Sequence, residues 1–229
     1  MAERAVLVIA AHPDDEVLGC GGTIAKHARA GDAVYILIVG EGLTSRAGAP
    51  ASKQDVAALQ ATARSAAARL GAREVEFLGL PDNRLDGMER LDLIQPVESA
   101  IARRKPALVY THHIGDVNID HRRIHEAVVT ACRPVPGHCV ETLLFFEVNS
   151  STEWQPPGLA PPFVPDWFED ISGTLEVKLG ALAEYAGELR PWPHPRSPEA
   201  VTHLARWRGA TCGTAAAEAF VLGRRVARG

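Results

Sequence analysis

Short apolar runs alternate with longer amphipathic stretches over the first 150 residues of the chain. Residues 5–11, 34–39, 75–80, 107–111 and 142–148 are predominantly apolar runs of the length of buried strands. Residues 17–30, 53–70, 90–104 and 119–132 have the spacing of helices, and the first two end just before a glycine. Strands that alternate with helices in this way predict an α/β, Rossmann-like fold, a mostly parallel sheet with helices on both faces.

The composition changes after residue 150. Residues 154–167 contain five prolines, too many for a regular element. Two more helices are predicted at 175–189 and 198–210, and a proline-rich turn at 191–197 lies between them. We therefore expect a single domain over residues 1–229, with a core of residues 1–150 and a C-terminal extension, residues 151–229, that covers the site.

Composition and charge restrict the class of protein. A chain of 229 residues, 46% of them hydrophobic, is long enough for a full core, and its net charge of −4 argues against a nucleic-acid-binding protein. The four cysteines are widely spaced, which is typical of reduced thiols, and no apolar segment approaches roughly 18 residues. We expect a cytoplasmic protein without a membrane span, and the sequence leaves open whether it forms a homo-oligomer.

An imidazole and three carboxylates lie within five residues, directly after the first predicted strand: His12, Asp14, Asp15 and Glu16. In open α/β sheets the ligand site lies beyond the carboxyl ends of the strands. One aspartate is accounted for as the N-cap of the following helix, whereas three carboxylates repel one another unless a cation lies among them. The pattern therefore predicts a metal site at this edge of the sheet.

A second group of candidate ligands follows the fourth predicted strand. Residues 110–125 contain four histidines, at positions 112, 113, 121 and 125, and the last two share one helix face. Imidazole and carboxylate ligands suit Zn²⁺, and a catalytic zinc site uses three protein ligands and a water molecule. We expect this segment to supply the ligand that the first group lacks.

Three glycines follow the acidic cluster, at positions 19, 21 and 22. Their spacing is Gly-x-Gly-Gly, which departs from the GxGxxG pattern of dinucleotide-binding proteins. A dinucleotide-binding oxidoreductase is therefore disfavoured. We expect these glycines to allow close helix packing beneath the site.

Six short motifs resemble those of one family, the LmbE-like, or PIG-L, zinc-dependent de-N-acetylases. This family includes N-acetylglucosaminyl-phosphatidylinositol deacetylases and mycothiol-pathway deacetylases. The motifs are AHPDDE at 11–16, LGCGGT at 18–23, EGLTSR at 41–46, LPDN at 80–83, NIDH at 118–121 and SSTEW at 150–154. The resemblance implies that His12, Asp15 and His121 bind zinc and that Asp14 is the general base. The residues alone do not decide which of the two aspartates binds the metal.

The chain departs from the family pattern at Asn118, where the family commonly has a histidine that stabilises the tetrahedral oxyanion. An amide NH₂ group is also able to donate to an oxyanion. His113, five residues earlier, is the other candidate donor, and the two remain alternatives. We expect Asp120 to orient a histidine from behind the metal site.

Four residues are candidate substrate contacts: Arg46, Asp82, His194 and Arg196. A surface salt bridge or a turn explains Arg46 and Asp82 equally well, and a helix-capping loop explains the segment that holds the other two. The function we expect is hydrolysis of an N-acetyl group on an amino sugar or its conjugate, a small-molecule substrate, with release of acetate. Zinc is the expected cofactor, with iron or another divalent ion left open. An amidase that cleaves a larger amide, or a non-catalytic metal- or sugar-binding module, are the alternatives.

Overall fold

Seven strands form one sheet in the computed structural model, which describes residues 3–43 and 52–227. They lie in the order β3-β2-β1-β4-β5-β7-β6, with β1 to β5 parallel and β7 antiparallel to both of its neighbours. This confirms the predicted α/β fold with a mostly parallel sheet. The bounds are β1 Ala5–Ala10, β2 Ala33–Gly40, β3 Glu74–Leu80, β4 Leu108–His112, β5 Thr142–Phe146, β6 Trp167–Asp170 and β7 Ala217–Arg225.

Helices cover both faces of the sheet, as the alternation of elements predicts. The apolar side chains of β1 divide between two core clusters, Val6 and Val8 in one and Leu7 and Ile9 in the other, which is why this strand is apolar at every position. In the described part of the chain no helix is both long and apolar enough to cross a membrane. The helices are α1 Asp15–Arg29, α2 Lys53–Leu70, α3 Arg90–Arg104, α4 Ile119–Ala131, α5 Leu175–Glu184 and α6 Pro198–Cys212, with a short 3-10 turn at Leu85–Gly87.

The predicted elements differ from the observed ones mainly in the C-terminal third. The sequence did not predict β6 or β7, because β6 has only four residues and follows a proline-rich stretch without an alternating pattern. Both strands join the same sheet as the core. The helix predicted at 175–189 ends at Glu184. Helix α1 begins at Asp15, two residues earlier than predicted, so that Asp15 and Glu16 lie in its first turn.

Helix α1 is kinked, and its glycines allow it to pack closely. Cys20 has the non-helical angles φ −150° and ψ 26°. A Cβ atom at Gly19 would lie 2.4 Å from the ring of Phe146, and one at Gly22 would lie 2.8 Å from Ile171. The expectation of close packing at these glycines agrees with this geometry.

A buried ion pair satisfies the backbone groups that the kink releases. Glu218 on β7 accepts hydrogen bonds from the amides of Gly22 and Thr23, at 2.9 and 2.7 Å. The Lys178 Nζ atom donates to the carbonyl of Leu18 at 2.8 Å and lies 2.6 Å from Glu218. Strand β7 and helix α5 therefore hold α1, and with it the acidic cluster, in place.

We expect Lys178→Met to lower the free energy of unfolding by about 3–5 kcal/mol, because it leaves the buried carboxylate of Glu218 without its cation. The matched control is Lys26→Met. Lys26 pairs with Glu169 at the same distance of 2.6 Å, but its side chain is 44% exposed, so its loss should cost under about 1 kcal/mol. Urea unfolding of both variants checks this, and equal losses would contradict the role of the buried pair.

Candidate active site

Two chain segments meet in the crevice at the carboxyl ends of β1 and β4. These strands are neighbours at the point where the order of the sheet reverses, which is where ligands bind in open α/β folds. The segment that follows β1 holds the acidic cluster of residues 12–16. The segment that follows β4 leads through residues 113–118 into α4. The two groups predicted from the sequence are therefore brought together.

Asp14 has an unusual backbone conformation at the start of α1. Its φ angle of 103° lies in the left-handed region, which costs a residue other than glycine about 1–3 kcal/mol. Asp14 occupies the N-cap position, yet its side chain makes no capping hydrogen bond. Its Oδ2 atom instead lies 3.0 Å from Nη1 of Arg196. Helix capping therefore does not account for this carboxylate.

Asp15 lies between two imidazoles. Its Oδ2 atom is 3.3 Å from Nδ1 of His12 and 3.2 Å from Nε2 of His121. One potential ligand atom from each of the three residues lies within 4.8 Å of the others. The Oδ1 atom of Asp15 is buried and has no hydrogen-bond partner among the described residues. This donor set, with an oxygen left unsatisfied, fits a metal cation.

The second nitrogen of each imidazole contacts other carboxylates. Nε2 of His12 lies 3.0 Å from Asp82 and 3.0 Å from Asp120. Nδ1 of His121 lies 3.0 Å from Asp116. Carboxylates placed in this way fix the orientation and the tautomer of a ligating histidine. The sequence analysis singled out Asp120 for such a contact but missed Asp116. The only signal for Asp116 in the sequence is its position in the loop after β4.

His12, Asp82 and Asp120 form a second compact group of possible ligands. The two oxygens of Asp120 already accept hydrogen bonds from the amides of Asn83, at 2.6 Å, and Leu85, at 3.0 Å. Asp120 is thus anchored to the chain that follows β3. This favours a supporting contact to His12 over a second metal site.

His112 adds a third imidazole that the sequence did not assign. It accepts a hydrogen bond from the amide of Ala11 at 2.8 Å, and its ring stacks on His121 with the centroids 3.9 Å apart. Burial lowers its pKa well below the ordinary value, so it is neutral. His112 therefore ties the end of β4 to the end of β1 without adding charge.

The carboxylates around His12 and His121 favour positive charge at the site. Burial by itself lowers the pKa of His121, but Asp15 and Asp116 raise it to about 9. Burial likewise opposes the rise at His12, yet Asp120, Asp15 and Asp82 hold its pKa well above the ordinary value. Burial tends to raise the pKa of Asp15, whereas His121 and His12 keep it well below the usual range. The surrounding carboxylates thus favour a positive charge at the two imidazoles, and a bound cation would satisfy the same preference.

A second set of contacts supports the turn at Asp14. Burial raises the pKa of Glu16 to about 7, and the hydroxyl of Tyr185 donates to Glu16 at 2.6 Å. The other oxygen of Glu16 accepts from the amide of Asp14 at 3.0 Å. Burial also raises the pKa of Asp14, a shift that the charge of Arg196 opposes. Glu16 therefore stabilises the strained turn by linking the amide of Asp14 to the hydroxyl of Tyr185.

A polar cavity of about 150 Å³ opens onto these groups. Five of the residues singled out from the sequence line it, whereas the sequence missed Glu188. Glu188 follows α5, where the predicted helix would have continued, and no motif marks it. The full lining is His12, Pro13, Asp14, Gly42, Asp82, Asn83, Asn118, Glu188 and Arg196.

The other candidate residues lie elsewhere. His113 is not among the residues that line the cavity: its Nδ1 atom accepts from the amide of Gly115 at 3.0 Å, and its ring contacts Phe163 edge-on. His194 also lies outside the lining and accepts from the amide of Arg196 at 3.1 Å. Arg46 falls outside the described residues.

The curated proteins to which the chain is similar include two of similar length. The chain is 28% identical to an uncharacterized deacetylase, YaiS, of Escherichia coli K12, over 80% of this chain and 90% of the relative. It is 27% identical to a probable N-acetyl-alpha-D-glucosaminyl L-malate deacetylase of Bacillus anthracis, over 82% of each chain.

Two solved structures show the same fold. An N,N'-diacetylchitobiose deacetylase from Pyrococcus horikoshii has a TM-score of 0.77 at 20% identity, covering 96% of this chain and 84% of that one. The 4-carboxy-2-hydroxymuconate hydratase GalB from Pseudomonas putida has a TM-score of 0.79 at 23% identity, covering 99% of each chain. The fold alone therefore does not determine the reaction.

A family model identifies the family to which the chain belongs. The model of the PIG-L family, GlcNAc-PI de-N-acetylase, matches residues 7–132, which include the acidic cluster after β1 and the start of α4. With more than half of its residues in this match, the chain belongs to the PIG-L family of de-N-acetylases.

Proposed function

We propose that the chain is a zinc-dependent deacetylase that removes an N-acetyl group from an amino sugar or its conjugate and releases acetate. The observation that carries this proposal is the Asp14 carboxylate, which lines a polar cavity beside the buried group of His12, Asp15 and His121. Family membership and two relatives named as deacetylases support the reaction type. The enzyme is a hydrolase of linear amides.

His12, Asp15 and His121 would hold the metal ion. Two imidazole nitrogens and a carboxylate oxygen are ligands typical of catalytic zinc sites, which keep a further position for water. A zinc ion held there would polarise the amide carbonyl and lower the pKa of a bound water molecule. Asp116, behind His121, and Asp82 with Asp120, behind His12, keep the two rings in position to bind it.

Asp14 serves as the general base and then as the general acid. Its carboxylate is not needed for the metal, for the start of α1 or for any capping role. It takes a proton from the attacking water and returns it to the amine nitrogen as the C–N bond breaks, so that acetate and a free amine leave. The contact with Arg196 and the left-handed turn hold the carboxylate toward the cavity.

Asn118 is the better of the two candidates for the oxyanion donor. It lines the cavity, and its Oδ1 atom caps α4 by accepting from the amide of Asp120 at 2.8 Å. That contact orients the side chain and leaves the NH₂ group as its donor. His113 uses its Nδ1 atom within its own turn and packs against Phe163. The geometry thus favours a neutral, non-titrating donor at this position.

The lining of the cavity supports a hydroxyl-rich substrate. Asp82 and Glu188 offer acceptors, whereas Arg196 and Asn83 offer donors. A cavity of about 150 Å³ with so little apolar lining suits a small acyl group on a sugar ring better than a large apolar amide. This favours the deacetylase over the amidase that the sequence left as an alternative. Arg46 remains a predicted substrate contact.

We expect Asp14→Asn to lower kcat by about 10²–10⁴-fold while the bound metal stays, because the amide keeps the shape of the side chain but accepts no proton. The measurements are the deacetylation rate on N-acetylglucosamine conjugates and the zinc content by elemental analysis. His121→Ala is the contrasting variant and should lose zinc as well. Full activity in Asp14→Asn would rule out Asp14 as the base.

Chelation should abolish activity and lower the melting temperature, and one equivalent of zinc should restore both. A ligand that binds only to the folded state stabilises that state. A cation held by His12, Asp15 and His121 also offsets the cost of burying their polar groups. Differential scanning calorimetry of the chelated and the reloaded protein measures the shift. In His121→Ala the zinc-dependent shift should disappear. Chelated protein that keeps its activity contradicts the metal-dependent mechanism.

Asn118→Ala should lower kcat by about 10²–10³-fold, whereas His113→Ala should change it by much less. Asn118→Ser is the control for folding, since a serine hydroxyl still caps α4 but does not reach as far into the cavity. Steady-state kinetics with thermal melting of all three variants separates loss of the donor from loss of the cap. The reverse order of effects would assign the donor to His113.

A further inference from the structure

Glu16 carries a buried carboxylate that the proposed mechanism does not use. Its two oxygens accept from neutral donors, the hydroxyl of Tyr185 at 2.6 Å and the amide of Asp14 at 3.0 Å. Burying a charge on neutral donors costs free energy, and an apolar side chain of similar size would avoid that cost. Glu16 therefore has a role other than packing, and its two contacts indicate that role.

The contact to Asp14 supports a strained turn. The φ angle of 103° at Asp14 lies in the left-handed region, and a residue other than glycine keeps such a conformation only where its surroundings impose it. The hydrogen bond from this amide to Glu16 is one contact that does so. In this turn the Oδ2 atom of Asp14 lies 3.0 Å from Arg196, at the edge of the cavity that both residues line.

Helix α5 contacts α1 at two points. Lys178 donates to the carbonyl of Leu18 at 2.8 Å, and Tyr185, seven residues later at the end of α5, donates to Glu16. Residues seven apart lie on one face of a helix, two turns from each other. The first contact holds the kink of α1 and the second holds its first turn. One face of α5 therefore positions the start of α1.

The main chain of Tyr185 makes a separate contact with the wall of the cavity. Its carbonyl accepts from the amide of Glu188 at 2.8 Å, and Glu188 lines the cavity. Removal of the hydroxyl leaves this backbone contact in place. A single substitution at Tyr185 is therefore able to release the turn of Asp14 without releasing the wall.

We propose that Tyr185 is a positioning residue for the general base, because its hydroxyl holds Glu16 and Glu16 holds the left-handed turn that directs Asp14 toward the cavity. This inference rests on the proposed function of Asp14. Tyr185 is not among the residues that line the cavity, so it acts through Glu16. A base that moves by about 1 Å loses its alignment with the attacking water, which lowers turnover more than binding.

Tyr185→Phe removes the hydroxyl and keeps the ring. We expect it to lower kcat on N-acetylglucosamine conjugates about tenfold and to change KM by less than about twofold, because Glu188 keeps its contact. The zinc content should stay the same. The matched control is Tyr110→Phe on β4. Tyr110 and Tyr185 are each 1% exposed, and the hydroxyl of Tyr110 lies 2.9 Å from Nε2 of His27. Both variants should lower the melting temperature by a similar amount, but Tyr110→Phe should leave kcat unchanged.

Two further variants separate positioning from a general loss of structure. Asp14→Asn has no base left to position, so adding Tyr185→Phe to it should lower kcat by less than about twofold more. Glu16→Gln should keep kcat close to that of the wild type. Its amide oxygen still accepts from Asp14, and its NH₂ group donates to the oxygen of Tyr185.

Three kinetic results would overturn the inference: the full tenfold loss in the Asp14→Asn background, a similar loss in Tyr110→Phe, or a similar loss in Glu16→Gln. A wild-type chain that deacetylates no N-acetylated sugar would contradict the proposed function instead. Crystallography then decides the role of Tyr185 without turnover. In Tyr185→Phe the carboxylate of Asp14 should leave its position 3.0 Å from Arg196. An unchanged turn and ion pair would contradict the inference.

Discussion

The buried negative charge of Asp15 is the constraint on which the rest of the site depends. It lies between His12 and His121, in a crevice that also holds several other carboxylates. Such a concentration of negative charge is stable only when cations share it, as protons on the imidazoles or as a metal ion. The same carboxylates raise the pKa values of both histidines against the effect of burial. The metal chemistry and the packing of the crevice thus follow from one electrostatic balance.

Strand β7 and helix α5 hold the acidic cluster in position, although both come from the last third of the chain. Helix α1 carries Asp15 in its first turn and approaches the sheet closely through its glycines, at the cost of a kink at Cys20. The released backbone groups find their partners in Glu218 and Lys178, which come from the last third of the sequence. The position of the acidic cluster therefore depends on residues that do not line the cavity.

The same fold also carries the reaction of a hydratase, so the fold leaves the chemistry open. The side chains around the crevice narrow the range of possible reactions. A carboxylate at Asp14 that makes no capping hydrogen bond, and an amide at Asn118 held by its own helix cap, suit proton transfer and oxyanion binding. The polar walls of the cavity then bear on the choice of substrate, which the reacting groups do not decide.

The sequence by itself determined the parallel core of the sheet, the helices at 53–70 and 90–104, and the dense cluster at residues 12–16, because these depend on local periodicity and on charges adjacent in the chain. Tertiary structure decided the rest. Asp116, Glu188 and strands β6 and β7 reach their places through contacts with residues far away in sequence. The proposal of Asn118 over His113 rests on which of the two residues lines the cavity, and that depends on packing, which no local pattern encodes.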